Sequence, residues 1–413
     1  MIGASVLFIL GYFGIVFEHR FFDKAATAIL TGVLCWALFF IIGDGDHAQK
    51  AHELYHHLAD ISQVVFFIIG AMLIVEVIDS HKGFQSVEKF LNFRSKTVVF
   101  WIILFAGFLL SSILDNLTTI IVMISILKRV IPERDSRIFL SAALVSIVNA
   151  GGAWTPIGDI TTTMLWIADR ISTFAIMKSL FVPCVLTTVV IGLCIKRKVN
   201  LEFSVPKGEE QRKTPYSFTI LVLGVLALVL VPVLKALIGL PPFMGILLGV
   251  GVLWAFTDVV HRNDSEMQHL RIQHILSKID FSVAMFFLGI LLAVDALEAF
   301  GVLSTLATWV RTSFPSENIF AFMLGMLSAV VDNVPLVAAT IRMFGLDIYP
   351  QDHPTWNMLA YCVGVGGSIL VIGSAPGIAL MSLEKVTFSW YVKNISLIAL
   401  ISYIVGALAA AIF

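Results

Sequence analysis

Long apolar stretches separated by short polar connectors run the whole length of the chain. Stretches of this length, with charges held to their ends, predict an all-α polytopic membrane protein, because about 20 apolar residues in a helix cross the hydrocarbon core. In the first half the pattern predicts helices over about 3–18, 23–43, 60–80, 138–171 and 173–195, with a hairpin-like pair over 97–130. In the second half it predicts helices over about 217–238, 243–260, 280–300, 356–384 and 387–413, with another hairpin-like pair over 303–345. The expected organisation is a first repeat over 1–195, a cytoplasmic linker over 196–216 and a second repeat over 217–413.

The halves share sequence as well as pattern. LSSILDNLTTIIVM (Leu110 to Met123) and LSAVVDNVPLVAAT (Leu327 to Thr340) each set an Asp-Asn pair inside an apolar segment, 217 residues apart. FFIIGAMLIVEVID (Phe66 to Asp79) matches FFLGILLAVDALE (Phe286 to Glu298), with Gly70/Gly289, Glu76/Asp295 and Asp79/Glu298 in register. GGAWTPIGD (Gly151 to Asp159) matches GGSILVIGS (Gly366 to Ser374). Three blocks in the same order, at offsets of 215 to 219, indicate a duplicated unit. Ionisable residues at membrane depth are expensive, and paired breaks in two halves are how secondary transporters build a binding site.

Composition and charge sharpen this. Apolar residues make up 58% of the chain and charged residues 13%, about half the share of a soluble domain. A net charge of −1 gives no sign of nucleic acid as a partner. Cys35, Cys184, Cys194 and Cys362 all lie in apolar segments and read as packing. The first apolar run has no basic residue before it, so it reads as a transmembrane helix with Glu18, His19 and Arg20 at its far end. If each hairpin returns to the side it entered from, each half has five crossings and the second half is inverted. The alternating connectors then place 21 of the 27 Lys and Arg on one side, which is the cytoplasmic side by the positive-inside rule. Both termini fall outside. Counting the hairpins as full spans leaves that tally unchanged, so the charges do not decide between the two.

Re-entrant hairpins would put the Asp-Asn pairs near the midplane, facing each other from opposite sides; full spans would put them at the surface. Pro335, which lacks an N–H, fits a loop followed by a new helix start. The stretch 138–171 is long for one span and carries Gly151, Gly152, Pro156 and Gly158 in its middle, with oxygens from Asn149, Thr155, Asp159, Thr161 and Thr162. Its counterpart carries Gly366, Gly367, Ser368, Ser374 and Pro376. Two broken helices at corresponding positions point to a transport site.

SSILDNLTT, NAGGAWTPIGDITTT and SAVVDNVP together resemble the NhaD-type sodium/proton antiporters of the ion transporter superfamily, which also holds divalent-anion/sodium symporters and arsenite permeases. The resemblance runs over nearly the whole chain. It implies ten helices plus two opposed re-entrant hairpins, a scaffold and a transport domain, a homodimer, elevator-like movement, and no cofactor beyond the transported Na+ or Li+ and H+. Carried over by position, the ion-site residues are Asp115, Asn116, Thr118, Asn149, Asp159, Thr161 and Thr162, with Ser328, Asp332, Asn333, Ser368 and Ser374 from the second half. Asp115, Asn116, Asp159 and Asn333 are the expected Na+ ligands. The related anion symporters tend to have neutral Ser-Asn-Thr at the hairpin tips, whereas this chain has Asp at both.

A hard cation wants carboxylate, amide, hydroxyl and carbonyl oxygens, and Asp115, Asp159 and Asp332 with their neighbours supply them. Carboxylates in a poorly hydrated cluster hold protons readily, so protons and Na+ would compete for the same oxygens. An anion would be repelled unless the carboxylates were protonated or cation-bound. The expectation is therefore an Na+(Li+)/H+ antiporter of the cytoplasmic membrane, the alternative an Na+-coupled carboxylate symporter or oxyanion permease on the same fold. Asp115 and Asp159 form the expected exchange pair; Asp332 reads either as a third member or as a helix cap. Glu76/Asp295 and Asp79/Glu298 read as interfacial or as gating groups. His47, His52, His56 and His57 read as a solvated outer connector, although His52 and His56 are one helical turn apart.

Overall fold

The computed structural model describes residues 2–16, 23–83, 95–131, 133–196, 198–199, 214–262, 267–314 and 316–413. Among the described residues, sixteen helices of ten or more residues and one of eight carry the fold: α1 (Ile2–Val16), α2 (Lys24–Ile42), α3 (His47–Ser80), α4 (Lys96–Ser111), α5 (Asn116–Val130), α6 (Arg134–Ala153), α7 (Ile160–Ile167), α8 (Thr173–Ile195), α9 (Ser217–Ile238), α10 (Pro242–Val260), α11 (Phe281–Ala299), α12 (Val302–Ser313), α13 (Glu317–Ser328), α14 (Asn333–Met343), α15 (Pro354–Gly366), α16 (Ala375–Glu384) and α17 (Phe388–Ala410). Single helical turns over 268–278 join α10 to α11. Among the described residues there is no strand.

Eight of these helices are long and apolar enough to cross a membrane. The outer surface suits lipid: Phe174 and Leu237 are each 76% exposed and Leu397 67%. The arms α4, α5, α13 and α14 have only 16, 15, 12 and 11 residues, fewer than the ~20 a crossing needs. They form two helix–turn–helix pairs whose turns carry the Asp-Asn motifs. The helices broken at 154–159 and 367–374 split into α6/α7 and α15/α16. Taking each broken pair as one span gives nine crossings; α1 has only 15 described residues, as short as the hairpin arms, and counting it makes the ten that the apolar runs predict.

Packing separates two groups. The helices α2, α3, α9, α10 and α11 pack with one another; the two short pairs gather around α6, α7, α8, α15, α16 and α17. Contact between the groups runs chiefly through α11 against α14 and through α3 against α7.

Two expectations need correction. The segment over 303–345 holds three helices rather than a pair, since α12 precedes α13 and α14. It buries Leu303, Ala307 and Val310 along one stripe, as a helix lying on a surface does. The polar segment from His47 to His57 is not a loop but the first turns of α3. Asp46 accepts from the Gln49 backbone N–H while the Gln49 side chain accepts from the Asp46 N–H, a reciprocal cap that starts the helix before its apolar part. Glu18, His19 and Arg20, and most of the 196–216 linker, lie outside the described residues.

Candidate ion site

The two short pairs seat against the two broken helices by the same contacts, used twice. Ser111 Oγ donates to Val148 O at 2.6 Å, and Ser328 Oγ donates to Val363 O at 2.9 Å. A Cβ on Gly151 would lie 2.3 Å from Phe108 O, and one on Gly366 would lie 2.1 Å from Gly325 O, so neither position accepts a side chain without movement. A Cβ on Gly158 would lie 2.4 Å from Ser111 O, and one on Gly373 would lie 2.6 Å from Ser328 O and 2.5 Å from Ala329 O. The matched sequence blocks thus correspond to matched packing, in which backbone approaches backbone and the unwound segments meet the hairpin tips.

Each Asp of interest caps a helix at a break. Asp115 accepts from the Thr118 N–H at 2.8 Å and from Thr118 Oγ at 2.5 Å. Asp159 accepts from the Thr161 N–H at 3.2 Å, and Asp332 from the Val334 N–H at 3.1 Å. Capping therefore does not set Asp332 apart from the other two. Its own N–H is held by the Tyr12 hydroxyl of α1 at 2.9 Å, a partner the sequence does not reveal. Asp159 feels the charge of both Asp332 and Asp115, so the three carboxylates act on one region.

The amides and hydroxyls divide into two kinds. Asn116 Nδ2 donates to Asn149 Oδ1 at 3.1 Å, and Asn149 Nδ2 donates to Ser374 Oγ at 3.2 Å, a buried chain that joins a hairpin tip to both breaks. Thr162 Oγ donates to Ala153 O, Ser368 Oγ to Val365 O and Ser328 Oγ to Val363 O, so their protons are used in holding backbone. Asn333 is buried at the second tip, 8% exposed.

Asp159 is more buried than Asp115 and Asp332. It is 2% exposed, and beyond the nearby hydroxyl of the fully buried Thr161, which acts on the same carboxylate, its Oδ2 has no hydrogen-bond partner. Leaving buried polar atoms unmatched costs about 1–3 kcal/mol each, a penalty that a bound water or cation would relieve. No Lys or Arg among the described residues forms an ion pair with Asp115, Asp159 or Asp332. The donor set there is oxygen only, which fits a hard cation.

A second cluster lies toward the other end of α14. Arg342 Nε is 2.9 Å from Asp295 Oδ1 and 3.2 Å from Glu298, while a terminal nitrogen is 3.4 Å from Asp60. His57 Nδ1 is 3.3 Å from Asp295 Oδ2. Asp60, Asp295 and Arg342 border a cavity of about 360 Å³ that also meets Asp169 and Arg170, just past the end of α7. Glu76, the counterpart of Asp295, accepts instead from Ser80, to which Lys278 donates.

A family model described as "Citrate transporter" matches residues 12–351. The chain is 44% identical to "Sodium/proton antiporter 1" of Arabidopsis thaliana over 99% of this chain and 72% of that protein. It is also 44% identical to "Sodium/proton antiporter 2" of the same plant, over 97% of each. Identity to the Na(+)/H(+) antiporter NhaD of Vibrio parahaemolyticus is 28%, over 91% of this chain and 97% of that one. The fold is similar to that of the Alcanivorax borkumensis YdaH transporter, with a TM-score of 0.57 at 13% identity over 99% and 98% of the two chains. An oxygen-only site at paired helix breaks and full-length similarity to named antiporters agree: the chain belongs to the NhaD-type sodium/proton antiporters, within the family that the citrate-transporter model describes.

Proposed function

We propose that this protein exchanges Na+, and Li+ by the same chemistry, for H+ across the cytoplasmic membrane. One observation carries the reading: a buried carboxylate, Asp159, whose Oδ2 has no partner beyond the adjacent Thr161 hydroxyl, at the break where the Asp115 and Asp332 tips seat, with no basic side chain ion-paired to any of the three. Three carboxylates without an ion-pair partner are costly in a membrane core, so a cation or protons must fill the site before it moves. Filling by one or the other, never by neither, is what makes transport an exchange. Asp115 and Asp159 form the exchange pair, with Asn116, Asn149, Thr161 and Asn333 supplying neutral oxygens.

The matched contacts of the two halves support an inverted duplication, in which 1–195 and 217–413 enter the site from opposite faces. The charge bias then puts both termini outside and the 196–216 linker in the cytoplasm. The resemblance to the family supports a homodimer and an elevator-like movement, with the group around α6 and α15 as the moving part.

The family model's description favours a second reading, an Na+-coupled carboxylate symporter. Everted or reconstituted vesicles with an imposed pH gradient and a pH-sensitive dye separate the two. Collapse of the gradient by NaCl or LiCl, but not by sodium-free succinate, supports exchange. Silence toward Na+ and Li+, with uptake of labelled succinate, establishes the symporter.

A further inference from the structure

The two halves place equivalent positions face to face, but fill them differently. With Gly151 matched to Gly366, position 149 corresponds to 364 and position 159 to 374. In one pairing, Asn149 reaches Ser374 and closes the space with a hydrogen bond of 3.2 Å. In the other, Gly364 faces Asp159, and no side chain closes the space. A Cβ on Gly364 would lie 3.2 Å from Asp159 Oδ2, 3.7 Å from Thr161 Oγ and 3.6 Å from the Ala153 Cβ. The two oxygens it would meet, the Asp159 carboxylate and the Thr161 hydroxyl, act on each other and have no further hydrogen-bond partner.

We propose that Gly364 is the size-determining position of the cation site: its missing side chain leaves the hollow in which Asp159 Oδ2 and Thr161 Oγ hold an alkali cation. The inference rests on the exchange reading above and adds what selects the ion. Gly364 needs no positive φ; its role is space. A hollow bounded by a carboxylate oxygen, a hydroxyl and a methyl group discriminates by radius. A methyl at 364 must narrow it and favour Li+, which sits closer to its oxygens than Na+. Removing the Ala153 methyl must widen it from the other side. An amide at 364 would copy the Asn149–Ser374 pairing and close it.

The test uses purified full-length protein in reconstituted vesicles, measuring the NaCl, LiCl and KCl concentrations that give a half-maximal response of the pH-sensitive dye. Shifts in melting temperature with each salt are read in parallel, so ion binding is followed even in a variant that transports slowly. Expected for Gly364→Ala is a rise of tenfold or more in the Na+ requirement with a smaller change for Li+. Ala153→Gly shifts the ratio the opposite way, toward larger ions, and Gly364→Asn abolishes the response and the salt-dependent melting shift. Gly251→Ala, where an added Cβ meets nothing within 4 Å, behaves as wild type. An unchanged Na+/Li+ ratio in both Gly364→Ala and Ala153→Gly, with wild type active, overturns the assignment of Gly364 while leaving the exchange reading intact. Wild-type protein indifferent to Na+ and Li+ in both readouts overturns the exchange reading and this inference with it.

Discussion

Asn149 Nδ2 donates to Ser374 Oγ across 3.2 Å, and this bond ties the break in one half to the break in the other. Because Asn149 also accepts from Asn116, it is the middle of a three-residue bridge. Asn149→Ala leaves the Asn116 amide without its buried acceptor, at a cost of about 1–3 kcal/mol. The expected outcome is a lower Tm in detergent together with a several-fold higher Na+ requirement in the vesicle assay. Ser374→Ala removes one end of the bridge and produces a smaller change in both. Unchanged Na+ dependence in Asn149→Ala would make the bridge purely structural.

Arg342 and Asp295 join α14, an arm of the second hairpin, to α11, which belongs to the other helical group. Asp295 is 2% exposed, so Arg342→Gln leaves a buried carboxylate with His57 as its one remaining close cationic partner and costs less than the ~3–5 kcal/mol of a fully unpaired buried charge. In the double variant Arg342→Gln/Asp295→Asn both charges are gone, and most of that loss is recovered. Chemical denaturation of the four proteins measures the coupling. Additive losses would show that Arg342 is held by Glu298 and Asp60 rather than by Asp295.

His81 follows the last residue of α3 and meets His261, which follows the last residue of α10, with the two Nε2 atoms 3.1 Å apart. Its Nδ1–H donates to Val77 O at 2.7 Å, so Nε2 is the acceptor and His261 the donor between the rings. Burial, aided by His261, His269 and Lys278, pushes the His81 imidazole down to about 4 from an ordinary value of 6.5. The unfolded chain therefore binds a proton that the folded one refuses between those values. Stability is highest above pH 6.5 and falls as pH drops toward 4, by up to about 1.4 kcal/mol per pH unit for this group. A Tm profile between pH 8 and 5 should be shallower in His81→Gln than in wild type. Parallel profiles would remove His81 from the pH response.

Much of the architecture is legible in hydropathy alone. The expected helices 173–195 and 217–238 coincide with Thr173–Ile195 and Ser217–Ile238, because a membrane span is specified by a run of apolar residues and little else. The surface helix α12 escaped that reading because its apolar stripe is one-sided and sits directly before the apolar arm α13. The start of α3 escaped because polar helical turns look like a loop until the Asp46–Gln49 cap is noticed.

The carboxylates of the site stood out for a physical reason: an Asp in an apolar run has no cheap structural role. Gly364 did not, since its contribution is space, and a glycine near a helix break has many ordinary explanations. The offset of 215 that pairs it with Asn149 was available in the sequence, but only the fold shows that position 364 faces Asp159. Tyr12 and Arg342 were hidden for another reason. Their partners, Asp332 and Asp295, are 320 and 47 residues away, and only tertiary packing brings them together.

The central claim is that Na+ and H+ occupy the same oxygens at Asp159 and its neighbours. The most direct measurement is the KM for Na+ in reconstituted vesicles as a function of pH, in wild type and in Asp159→Asn. Competition predicts that KM for Na+ rises steeply as pH falls while the maximal rate at saturating Na+ changes little, and that Asp159→Asn loses exchange. A KM for Na+ that is flat across pH, or wild-type exchange in Asp159→Asn, would contradict a shared site.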